Sequence, residues 1–151
     1  MGKLERIIFV ARSGSCREPM AKGILEDLTL NLGIEILARG LVVSFPEPMN
    51  GKAEAVLKSN GITLEKFTST QLKNEEITDG TLVFTMEKGH KEKVLSHYSN
   101  AVPERVYVLT DFVGDELEII DPYGGSLQSY GLCYETLRKT LKKLVKILNR
   151  E

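Results

Sequence analysis

The chain of 151 residues contains no tryptophan, only two cysteines and only two histidines. Cys16 and Cys133 are too few for a disulfide framework, so a reducing, cytoplasmic setting is expected. His90 and His97 have no cysteine or carboxylate at metal-ligand spacing, which predicts no structural zinc; no cofactor is expected. No apolar run has membrane-spanning length and no stretch resembles a signal peptide, so no membrane partner is expected. An excess of one charge is missing too. Twenty basic against twenty-one acidic residues leave a formal charge of −1, which gives no general attraction for nucleic acid, and any anion recognition must be local. No repeat or linker divides the chain, and no charge run or exposed apolar stripe marks a partner surface. With 42% hydrophobic residues there is apolar material for one core of ordinary size, so residues 1–151 read as a single domain.

What is present is organised around one stretch. Ile7-Ile8-Phe9-Val10 suits a buried parallel strand, Ser13-Gly14-Ser15 permits unusual backbone angles, and Pro19 belongs in the first turn of a helix. Backbone N–H groups at such a helix start hold an anion together with the helix dipole. Arg17 adds a planar fork of donors matched to two phosphate oxygens.

From there, strands and helices alternate. Met20, Ile24, Leu28 and Leu32 lie at helical spacing from Pro19 to about Leu32, with Gly33 as a stop. Residues 34–40 read as a second strand, 51–59 as a helix ended by Asn60-Gly61, and Thr70 as the cap of a brief helix reaching Ile77. Thr81 to Met86 is a third strand, Glu87 to His97 a helix and Arg105 to Leu109 a fourth strand. A long helix from Tyr130 to Asn149 carries Cys133 on its apolar stripe, so this cysteine is expected in the core. The pattern predicts an α/β, doubly wound four-stranded parallel sheet with helices on both faces and a ligand site at the carboxyl ends of the strands.

The first loop resembles that of the low-molecular-weight protein-tyrosine phosphatases. That family has a nucleophilic cysteine, five residues, then Arg, Ser or Thr, and Pro-Met-Ala. Asp121-Pro122-Tyr123-Gly124-Gly125-Ser126 is similar to the family's Asp-Pro loop, and together the two motifs extend the resemblance over nearly the whole chain. The resemblance implies a phosphate-binding loop of Arg12, Ser13, Gly14, Ser15, Cys16 and Arg17. It makes Asp121 the general acid, folded over that loop, and Tyr123 a pocket wall. Ala11 falls on the nucleophile and Glu18 on the hydroxyl residue that stabilises the thiolate. Ser15 falls where a small hydroxyl residue goes with phosphoarginine in some bacterial relatives.

Ala11 cannot form a cysteinyl-phosphate, and Cys16, lying to one side of the loop centre, is a poor replacement. For Glu18 there are two readings: an acid in the cradle that repels a phosphate dianion, or a first-turn acid favouring the helix dipole alone. Arg17 either binds phosphate or pairs with Glu18 or Asp121, and a loop cation such as Arg12 is commonly just solvated. Asp121 reads either as an inherited acid or as an Asp-Pro turn residue, and Tyr123 either as a pocket wall or as an ordinary half-buried aromatic. Three functional expectations result. The first is a phosphatase-like protein without catalysis that binds a protein partner, a phosphoprotein or another phosphorylated ligand. The second is an active protein-tyrosine or protein-arginine phosphatase carrying an engineered Cys→Ala change. The third is residual hydrolysis by direct water attack.

Overall fold

A computed structural model describes residues 3–29 and 33–149. Four strands form one parallel sheet in the order β2-β1-β3-β4: β1 Arg6–Ala11, β2 Glu35–Gly40, β3 Thr81–Thr85 and β4 Val106–Val108. Among the described residues five α-helices connect or flank them: α1 Arg17–Leu28, α2 Gly51–Ser59, α3 Lys88–His97, α4 Leu109–Val113 and α5 Leu127–Leu148. The expected doubly wound sheet is therefore present.

The alternation of β1 sets the two layers, because successive side chains of a strand point to opposite faces. Ile7, Phe9 and Ala11 join a core with Met20, Ile24, Leu137 and Leu141 on α1 and α5. Ile8 and Val10 join a second core with Val83, Val106, Leu72, Ile77 and Val94. A central strand apolar on both faces is what a parallel sheet covered on both sides requires.

The sheet order reverses between β1 and β3. Chain leaving β1 runs toward β2 and chain leaving β3 runs toward β4, which opens a crevice at the carboxyl ends of the two central strands. The loops after β1 and β3 both face it.

Local differences from the sequence expectation have physical causes. Thr70 caps no helix: its carbonyl accepts from Gly40 N and residue 71 bridges to Gly40, so this segment is extended along β2. Only a 3₁₀ turn, Asn74–Glu76, follows. Leu109 opens α4 instead of ending β4. The helix α5 starts at Leu127, where the Ser126 hydroxyl accepts from Ser129 N as an N-cap. The last turn expected for the first helix, including Leu32, lies outside the described residues.

Two glycines seat the first loop. Gly14 has φ +78°, a backbone region costly for other residues, and it lies against Gly40 at the end of β2. A Cβ on Gly40 would lie 2.7 Å from Gly14 N and 2.6 Å from a Val43 methyl. Gly40→Ala is therefore expected to lower stability by about 1–3 kcal/mol through overpacking. Urea unfolding checks the loss, and shifted amide resonances at residues 13 and 14 would locate the strain.

Candidate functional site

β1 delivers its last residue, Ala11, buried beneath the loop with only a methyl group to offer. The loop is braced from outside. Ala11 O and Arg12 O accept from Leu41 N, Arg12 O also from Val42 N, and Ser15 O accepts from Asn50 N at 2.8 Å. Within it, the Ser13 and Ser15 hydroxyls are 3.2 Å apart, and Ser15 N donates to Ser13 Oγ at 3.4 Å. The Arg12 side chain is exposed and makes no hydrogen bond or ion pair among the described residues.

Glu18 departs most from a simple helix-start residue. It is 1% exposed, and its side chain turns back so that Oε2 accepts from Gly14 N at 2.5 Å. The amides of Glu18 itself and of Cys16 also favour its charged form. Its reading as an acid that favours only the helix dipole is thereby corrected: the carboxylate sits among the amides of the loop. Burial outweighs these donors and the Arg17 charge, and pushes the carboxyl up to about 7.

Arg17 is 2% exposed and closely held. Its Nη1 donates to Ile119 O at 2.7 Å and lies 2.7 Å from Glu87 Oε2, while Nη2 is 3.7 Å from Asp121 Oδ2. Of the two partners expected from sequence, Asp121 is near and Glu18 forms no ion pair with it among the described residues. Asp121 also has the turn role, since Oδ1 accepts from Tyr123 N at 3.0 Å. Tyr123 is exposed instead of half-buried.

The partner that sequence reasoning missed is Glu87. It follows β3, so the crevice between β1 and β3 brings it to Arg17. The signal was available in its position just past a central strand, but the residue reads equally well as an ordinary helix-start acid. His90, one turn further along α3, lies with Nε2 4.0 Å from Glu87 Oε2. Burial of the imidazole lowers its pKa, against the opposing pull of Glu87.

Cys16 is buried in the main core, and its thiol is pushed up to about 12 by burial first, then by Asp121, Glu18 and Cys133. It is thus a thiol and not a thiolate. Cys133 lies in the same core, as its helical stripe predicts, and burial pushes its thiol up to about 12 as well. No cluster of metal-ligating side chains occurs among the described residues, and no described helix is long and apolar enough to cross a membrane.

A parallel sheet whose first strand runs through a tight, amide-lined loop into a helix, with an arginine at the loop's end and an Asp-Pro segment set against it, defines an α/β protein of the phosphatase type. The chain belongs to the low molecular weight phosphotyrosine protein phosphatase family, whose family model matches residues 6–151. It is 33% identical over 147 residues to a protein-arginine-phosphatase of Geobacillus stearothermophilus, covering 97% of both chains. It is 30% identical over 140 residues to the low molecular weight protein-tyrosine-phosphatase PtpB of Staphylococcus haemolyticus, covering 92% of this chain and 96% of that one. The solved structure of the YwlE arginine phosphatase from Geobacillus stearothermophilus superposes with a TM-score of 0.88 at 32% identity, over 97% of this chain and 94% of that chain.

Proposed function

We propose that this chain is a catalytically silent member of the phosphatase family that acts by binding a protein partner. The observation that carries the reading is the Glu18 carboxylate, bonded to Gly14 N inside the loop where a substrate phosphate would need the same donors. Two further features support it. Ala11 supplies no nucleophile for a covalent phosphoryl intermediate, and the Arg17 fork is already engaged by Glu87 and Ile119 O. In this reading Asp121 keeps the acid's position without a reaction to serve, and Arg17 acts as a structural cation.

The relatives' activities point to a protein-tyrosine or protein-arginine phosphatase as ancestor. An engineered Cys→Ala change in an otherwise active enzyme would account for Ala11 but leave Glu18 without a reason.

The expected result is no phosphate release above background from aryl phosphates, phosphotyrosine peptides or phosphoarginine peptides. Calorimetry is expected to find no sub-millimolar binding of inorganic phosphate at neutral pH. Steady phosphate release that survives thiol-blocking reagents and is abolished by Arg17→Ala would sink the proposal in favour of direct water attack.

A further inference from the structure

Although the whole chain is nearly neutral, the stretch from Val106 to Leu137 holds Asp111, Asp115, Glu116, Glu118, Asp121 and Glu135 and not one lysine, arginine or histidine. The expectation that no charge run marks a partner surface therefore fails here. The acidic residues are interleaved with apolar ones, so a composition count hides them.

In the fold this stretch runs through α4 and the loop 114–126 into the first half of α5. Leu117 and Ile120 are each 79% exposed and Leu132 is 65% exposed. With Tyr123 they border a groove of about 450 Å³ floored by buried Ile119 and Cys133. Covering such side chains removes apolar surface from water, and a contiguous exposed set of this kind is characteristic of an interaction site.

The rim decides what covers it. Asp115 is neutralised by Lys143 at 2.5 Å. Glu116, Glu118 and Glu135 have no ion-pair partner among the described residues; Glu118 only accepts from the Lys88 backbone N–H. Glu116 and Glu118 flank Leu117, and Glu118 lines the groove itself, whereas Glu135, one turn along α5 from Leu132, lines a separate groove against α2. At the adjoining crevice Asp121 and Glu87 share the single cation of Arg17.

The geometry points to a docking surface for an unphosphorylated, basic segment of a partner protein, with a large apolar side chain seated among Leu117, Ile120 and Leu132 and flanking arginines or lysines on Glu116 and Glu118. The field of these carboxylates favours such a segment and opposes a phosphorylated one. A second copy of the chain in a two-fold contact would bring acidic rim against acidic rim, which disfavours self-association as the occupant. The inference rests on the reading that this protein acts by binding, and it names the class of partner.

The test is selection of a randomised twelve-residue peptide library, displayed on phage, on the intact protein, followed by calorimetry with the enriched peptides. Enrichment of sequences with a large apolar residue between arginines or lysines is expected. Their affinity should fall at least roughly tenfold for Leu117→Ser with Ile120→Ser, and for Glu116→Lys with Glu118→Lys. Leu117, Ile120 and Glu116 are exposed, so their substitutions should leave the unfolding midpoint unchanged, and only Glu118→Lys, which gives up the Lys88 N–H, should lower it slightly. Enrichment of acidic sequences, no enrichment, affinity indifferent to both pairs of substitutions, or self-association abolished by Leu117→Ser would each overturn the proposal. Aryl phosphate hydrolysis by the same preparation would sink the silent reading without touching this surface. A failed selection would sink the surface without touching that reading.

Discussion

Restoring a cysteine at position 11 is expected to leave the protein a poor phosphatase, whereas Ala11→Cys with Glu18→Ser should be faster by a factor on the order of 100 or more. A thiol at position 11 would lie at the base of a loop that holds the Glu18 carboxylate on Gly14 N. Above about pH 7 Glu18 is charged and disfavours the thiolate, and below it burial alone keeps the thiol protonated, so the new thiol would be mostly protonated near neutral pH. Cys16, at the end of the loop and turned into the core, already has its thiol pushed up to about 12 by burial, Asp121 and Glu18. Glu18 also holds Gly14 N, a donor the transferring phosphoryl group would need. Glu18→Ser alone gives the loop back its donors but no nucleophile, and Ala11→Cys alone gives the reverse. The two changes should therefore combine far beyond the sum of their separate effects, as groups that act as a unit do. Initial rates of the four proteins on one aryl phosphate between pH 5 and 8 provide the measurement. A single Ala11→Cys variant as fast as the double one would refute this role for Glu18 and make an engineered Cys→Ala change the better account of Ala11.

Glu18→Gln is expected to raise stability at pH 8 by as much as about 3 kcal/mol while changing it little at pH 4.5. In the folded protein burial raises this carboxyl from an ordinary 4.5 to about 7. The folded state thus keeps the proton over a range in which the unfolded chain has released it. Stability contributed by this group is full below about pH 4.5 and is lost as pH rises through 7. A glutamine carbonyl can still accept from Gly14 N but carries no charge to bury, so the variant should lack this downward slope. Urea midpoints of both proteins across pH 4 to 8 measure the difference, and parallel curves would show that the Glu18 carboxyl titrates normally.

The strands and most helices were readable because their residues obey simple periods. The apolar run 7–10 suited a strand covered on both faces, and Cys133, Leu137, Leu141 and Leu144 mark the buried side of α5. Short elements were not readable: α4 is five residues long and shows no period, and the start of α5 was hidden in the Gly-Gly-Ser segment that ends the Asp-Pro loop. The position of Arg17 in the loop was also legible, but its strongest ion pair was not. Glu87 lies 70 residues away in sequence and meets Arg17 only because the sheet order places β3 beside β1. Glu18 was visible as an unusual residue, yet a glutamate in the first turn normally points to solvent. The close approach of Gly14, with its positive φ, and the amides of Cys16 and Glu18 give its side chain donors to turn back to.

The bond from Gly14 N to Glu18 has one more implication, for how this loop competes for ligands. A carboxylate attached one helical turn away is an intramolecular ligand, present at the loop at an effective concentration of the order of millimolar or more, whatever the solution contains. A free anion must displace it as well as bind. Loops of this kind that recruit their anion from solution gain order and stability by mass action when that anion is abundant. Here the same ordering is supplied within the chain, so the loop, and the Asp-Pro segment beside Arg17, are expected to keep their shape whatever the level of phosphate around them.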